Sequence, residues 1–105
     1  MEIQFDKDYL RELFYKGKCS DKKHRFQPQI VKRYIDRINI LESVSDVEEL
    51  YRYNSLHYEV LKGDKQGTSS IRVNNQYRIE FKVEQGEDSV SVSICNITEL
   101  SNHYD

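Results

Sequence analysis

The chain has 105 residues, with 16 Lys and Arg against 18 Asp and Glu, two Cys and a single Pro. That length suits one domain spanning residues 1–105, and a composition 37% apolar and 32% charged leaves material for a thin core. No run reaches the ~18 consecutive apolar residues of a membrane helix, and no secretory leader is expected. Cys19 and Cys95 cannot build a disulfide framework. A reducing, cytoplasmic setting is expected, and collagen, coiled coil, membrane protein and disulfide knot are excluded.

Charge is segregated along the chain. Residues 1–40 carry a net +4, 41–51 a net −4, 52–82 a net +3 and 83–105 a net −5. A near-neutral total of −2 therefore leaves room for a basic face.

Ile3 and Phe5 alternate with polar neighbours and predict a short first strand. From Tyr9 the period becomes helical: Leu10, Leu13 and Phe14 share a face, Asp6 or Asp8 caps the start and Gly17 supplies the stop. Residues 16–27 read as a basic loop in which His24 is solvated. Pro28 suits the first turn of a second helix, where its missing N–H costs nothing. Val31, Tyr34, Ile35, Ile38 and Leu41 then form its apolar stripe, with Lys32, Arg33, Asp36 and Arg37 outward. Ser45 and Glu48 match a capping box and predict a short third helix over 46–51.

Beyond residue 55 the period is two, which predicts strands near 57–62, 68–73, 77–84 and 89–97. One strand, then helices, then a strand meander implies an α+β fold: a small antiparallel sheet with the N-terminal helices on one face. Hairpin register follows from parity. A two-residue turn at Asn74-Asn75 would set Ile71 against Arg78 and mix the two faces. A three-residue loop, Asn74-Asn75-Gln76, sets Val73 against Tyr77 and Ile71 against Ile79. The next hairpin is expected to place Phe81 against Val92 and Ile79 against Ile94.

On the other face this register puts Arg72 opposite Arg78 and Ser70 opposite Glu80. Facing like charges are destabilising unless Glu80 or Glu59 neutralises them, or unless an anion does. Two guanidinium groups can grip a phosphate through several charge-assisted bonds. Both readings stay open at this point. His57, at the head of its predicted strand, reads as a rim histidine, and the Cys and His residues lack zinc-ligand spacing.

The stretch Leu61-Lys62-Gly63-Asp64-Lys65-Gln66-Gly67, followed by Ser70-Ile71-Arg72-Val73-Asn74 and Gln76-Tyr77-Arg78-Ile79-Glu80-Phe81, resembles the HigB-type toxins of the RelE/ParE superfamily. Those are the toxin halves of bacterial toxin–antitoxin modules. The resemblance implies a small twisted antiparallel sheet carrying N-terminal helices. It also implies cleavage of messenger RNA on the ribosome, with no metal or other cofactor, and silencing by a cognate antitoxin. Lys62 matches the family's hairpin lysine and Arg78 its strand arginine, both expected in the active site; Arg72 is a weaker match. Where the family ends in Asp-Tyr-His, this chain reads Asn102-His103-Tyr104, which makes His103 and Tyr104 the corresponding catalytic candidates. The family's upstream histidine falls on Glu59, with His57 two residues earlier, and both are candidate substrate contacts.

The chemistry asks for such a set by itself. Attack of a ribose 2′-OH on the adjacent phosphate needs a base, an acid for the leaving 5′-oxygen, and cations for the charge gathering on phosphate. Two other readings stand beside the nuclease: a ParE-like gyrase poison that acts by binding alone, and a non-catalytic α+β interaction module.

Overall fold

The computed structural model describes residues 1–85 and 93–102. Its elements in chain order are β1 (Glu2–Phe5), α1 (Asp8–Lys16), α2 (Pro28–Ser43), β2 (Glu59–Val60), β3 (Ser69–Arg72), β4 (Tyr77–Glu84) and β5 (Ile94–Asn102). Short 3₁₀ segments cover Lys22–His24, Val47–Arg52, Asn54–Leu56 and Gly63–Lys65. The strands form one sheet in the order β1-β5-β4-β3-β2.

Both helices form where the periodicity places them. Tyr9, Leu10 and Leu13 bury one face of α1, and Gly17 ends it in the left-handed region (φ 73°) while its N–H returns to the Leu13 carbonyl. The start differs from expectation. Lys7 occupies the cap with no side-chain bond, and Asp8 lies inside the first turn, where its charge still complements the helix dipole. Pro28 opens α2, which buries Ile30, Val31, Tyr34, Ile38 and Leu41. The Tyr34 hydroxyl donates to the Leu10 carbonyl at 2.8 Å, so the buried phenol is satisfied and ties the two helices together. The predicted third helix is the 3₁₀ segment Val47–Arg52, and its capping box is Asp46 with Glu49, one residue beyond the expected pair. His24, expected in solvent, stacks on Tyr9 with ring centroids 3.7 Å apart and bonds Asp21 through Nδ1 at 2.7 Å.

The sheet buries Ile71, Val73, Ile79, Phe81, Cys95, Ile97 and Leu100 together with the apolar sides of α1 and α2. Three of its features correct the sequence reading. β1 runs parallel to β5, Ile3 facing Cys95 and Phe5 facing Ile97, so one pair of an otherwise antiparallel sheet is parallel. That direction is set by where α1 and α2 return the chain, which no local pattern records. β2 shrinks to two residues because 3₁₀ turns flank it on both sides.

The last strand lies further along than 89–97. Phe81 faces Ile97 and Ile79 faces Leu100, in place of Val92 and Ile94. Glu84 already pairs with Ile94, so the β4–β5 connection is longer than a tight hairpin; residues 86–92 lie outside the described residues. A bulge compounds the shift: Glu80 faces Glu99 while Phe81 faces Ile97, which leaves Thr98 as the extra residue. The bulge changes the parity of β5 and lets both Ile97 and Leu100 point to the core.

Candidate active site

The β3–β4 hairpin builds the site. With Ile71, Val73, Ile79 and Phe81 buried, the alternate residues turn to the other face, and Arg72 lies opposite Arg78 with Ser70 opposite Glu80. The three-residue loop forms as parity requires. Val73 N–H donates to the Tyr77 carbonyl at 2.9 Å, and the Asn74 side chain accepts from the N–H groups of Gln76 (2.8 Å) and Tyr77 (2.7 Å).

The two arginines meet at His57. Arg78 Nε donates to Ser70 Oγ at 2.9 Å, and Nη2 donates to the His57 carbonyl at 2.7 Å while lying 3.6 Å from Glu59 Oε2. Arg72 Nη1 lies 3.4 Å from His57 Nε2, and its Nη2 bonds the Asn75 side chain. Guanidinium nitrogens only donate, so the imidazole Nε2 is the acceptor of that contact. Among the described residues His57 is the one non-glycine with positive φ (φ 45°, ψ 51°), a conformation costing about 1–2 kcal/mol. It ends the 3₁₀ segment Asn54–Leu56, and Arg78 holds its carbonyl in place. A non-glycine residue held in this region by specific contacts marks a position that the surroundings over-determine. The rim histidine expected from sequence therefore stands between the two arginines.

Behind this group Lys65 Nζ donates to Glu80 Oε2 at 2.7 Å. Glu80 is 6% exposed and faces Glu99 across the strand pair, so Lys65 balances a concentrated negative charge. The hydrogen bond to Glu80 raises the lysine pKa above its ordinary value. The compensation left open by the residues alone is thus divided: Glu59 pairs with Arg78, Lys65 takes Glu80, and Arg72 meets His57 and Asn75.

Two clefts flank the arginine pair. A cleft of about 180 Å³ is bordered by Glu59, Lys65, Ser70, Arg78, Glu80 and Asn102. A second, of about 360 Å³, opens between α2 and the end of β3, with Arg33, Arg37, His57 and Arg72 around it. The structure thus brings together Arg72, Arg78, His57 and Glu59. Lys62 is exposed at the start of the Gly63–Lys65 turn and borders neither cleft. His103 and Tyr104 lie outside the described residues, but β5 ends at Asn102, which borders the Arg78 cleft.

Sequence reasoning missed Lys65, Arg33 and Arg37. Arg37, read as outward, is largely covered and donates from Nε to the Arg72 carbonyl at 3.3 Å. Its one signal was the four-residue spacing from Arg33, which stacks both on one stripe of α2. Among the described residues no group of three or more His, Cys, Asp or Glu side chains is arranged to hold a metal ion.

Residues 3–94 match the HigB-like toxins, described as RelE-like toxins of the type II toxin–antitoxin system HigB. The chain belongs to this family. Toxin HigB-1 of Vibrio cholerae is 35% identical over 83 residues, spanning 78% of this chain and 83% of its own. Among solved structures, the YoeB/ParE toxin of Agrobacterium tumefaciens superposes with a TM-score of 0.57 at 18% identity, covering 99% of this chain and 100% of that one. A YafQ variant from E. coli gives 0.55 at 11% identity, with 98% and 93% covered. The YoeB–YefM complex of Staphylococcus aureus gives 0.51 at 21% identity, with 99% and 98% covered. At such identities these three show the RelE fold alone. The HigB-like toxin described here is thus a type II toxin by family, and no described helix is long and apolar enough to cross a membrane.

Proposed function

We propose that this HigB-like toxin is an endoribonuclease that cuts messenger RNA on the ribosome, in the cytoplasm, and is silenced by a cognate antitoxin. The observation that carries the reading is the Arg72–His57–Arg78 group: two guanidinium groups in register on one sheet face, Arg72 against the His57 imidazole and Arg78 against the His57 main-chain carbonyl. Arg72 and Arg78 bind the scissile phosphate and stabilise the charge that gathers on its oxygens as the 2′-OH attacks. His57, beside both, exchanges a proton with the 2′-OH or with the leaving 5′-oxygen. Glu59 orients Arg78 and is the alternative proton acceptor. Lys62 and the C-terminal His103 and Tyr104 complete the set by family resemblance, and the end of β5 beside Arg78 supports a contribution from that tail. The attack closes a 2′,3′-cyclic phosphate and releases a 5′-hydroxyl, a transesterification that balances with one proton taken and one given.

The test adds the purified toxin to ribosomes carrying a defined message, with cuts mapped by primer extension and naked message as the control. Cleavage on the ribosome with far slower cutting of free RNA is expected, because the ribosome holds the message in a reactive conformation. Intact message together with inhibited gyrase supercoiling would overturn the reading in favour of the binding-only toxin.

A further inference from the structure

We propose that the cleft between α2 and the end of β3 is a second phosphate site, gripping the RNA backbone beside the phosphate that is cut. The proposal rests on the endoribonuclease reading and extends it to residues outside the reaction centre. The cleft, about 360 Å³, is bordered by Arg33, Arg37, Arg72, His57, Ser55 and Asn75. Three guanidinium groups face one concavity, and no described residue lining it is a carboxylate. Asp36 takes one N–H group of Arg37 at 2.8 Å, and Arg33 has no hydrogen bond or ion pair among the described residues. At least two positive charges are therefore left without an acid.

The neighbouring cleft is different in kind. There Glu59 lies 3.6 Å from Arg78 and Lys65 takes Glu80, so each cation already has a carboxylate beside it. An uncompensated cluster of arginines is costly to fold, and it is kept at little cost where an anion neutralises it on binding.

The geometry is also prepared. Arg37 Nε donates to the Arg72 carbonyl at 3.3 Å, with its side chain 17% exposed, and Arg72 is fixed by Asn75. Planar guanidinium groups held in this way suit phosphate oxygens better than mobile lysines do. Ser55 and Asn75 add neutral hydrogen-bonding groups for phosphate or ribose. Val73 is the one apolar side chain bordering the cleft, too little to anchor the hydrophobic residues of an acidic protein segment. Arg72 and His57 border this cleft and also form the reaction group, so one strand can occupy both in succession. A single-stranded phosphodiester fits these observations better than a protein partner.

The test measures binding of a labelled 2′-O-methyl RNA dodecamer, which lacks the attacking hydroxyl, by fluorescence anisotropy from 50 to 200 mM salt. Each phosphate contact removed from a single strand is expected to lower the slope of log affinity against log salt by about 0.7. Arg33→Gln should therefore flatten the slope by about 0.7 and weaken low-salt binding several-fold, with thermal stability unchanged. Lys32→Gln, on the same helix but off the cleft, should leave the slope at the wild-type value. Equal slopes for the two variants would overturn the site, as would absence of RNA binding by the wild type. Loss of antitoxin binding by Arg33→Gln with RNA binding intact would overturn it too and assign the cleft to a protein. Message cleavage by the wild type, run alongside, separates the two readings. Cleavage with an unmoved slope sinks only the second site, and absent cleavage sinks the nuclease reading.

Discussion

Arg78→Lys keeps the charge of the strand arginine and removes its geometry. The native guanidinium serves two acceptors at once, Ser70 Oγ at 2.9 Å through Nε and the His57 carbonyl at 2.7 Å through Nη2. A lysine ammonium can reach one of these positions, so one hydrogen bond to a charged donor is lost. Such a bond contributes about 1.5–3 kcal/mol, and the Arg78 side chain is only 11% exposed, so water replaces little of it. The variant should lose about 2 kcal/mol of unfolding free energy in a urea titration read by circular dichroism. Besides weakening the residue's own grip on the scissile phosphate, the change acts through His57, whose left-handed backbone stores about 1–2 kcal/mol that relaxes once its carbonyl is released. A relaxation of that size lowers the population of the working conformation by about 5- to 30-fold, so ribosome-programmed cleavage should fall by at least about that factor. The companion pair His57→Gly and His57→Ala separates strain from chemistry. Glycine accepts the left-handed region freely, so the Gly variant should be about 1 kcal/mol more stable than the Ala variant, while both lose cleavage. If Arg78→Lys keeps wild-type cleavage while losing stability, Arg78 does not hold His57 for reaction, and the reasoning fails.

Lys65→Met strands the buried Glu80 carboxylate and should cost about 2 kcal/mol, less than a fully buried pair because the Lys65 side chain is 50% exposed; adding Glu80→Gln should recover most of it in the same urea assay. The raised pKa of Lys65 means that this contribution is fully present below the lysine's ordinary value and is lost as pH rises through the folded-state value, so an alkaline stability titration should show a loss that Lys65→Met lacks. Gly17→Ala meets no atom within 4 Å but must hold φ near +73°, so a cost of about 1 kcal/mol in melting experiments is expected from the backbone alone. Burial pushes the Cys95 thiol up to about 12, so a thiol reagent at neutral pH should modify only Cys19 in the native protein and both after denaturation; rapid native labelling of Cys95 would contradict the packing of β5.

Local rules determined much of this protein. Helical period, the fixed φ of Pro28 and the left-handed stop at Gly17 settle α1 and α2 from neighbouring residues alone. Parity settles the β3–β4 register, because a slip of one residue would turn Ile71 and Ile79 out of the core. With that register the facing arginines were legible, and the Lys-Gly-Asp and Tyr-Arg-Ile stretches pointed to the family. What needed the tertiary structure is what depends on distant segments meeting. Alternation is the same in every frame, so it did not reveal how long the β4–β5 connection is or that Thr98 bulges. The parallel direction of β1 follows from where two helices return the chain. His57 reads as an ordinary rim residue until Arg78, 21 positions later, fixes its carbonyl and Arg72 meets its ring. Arg37 reads as a solvated helix residue until α2 packs beside the end of β3, 35 positions away. Side-chain period records which face a residue occupies on its own element, and the site arises where faces of different elements converge.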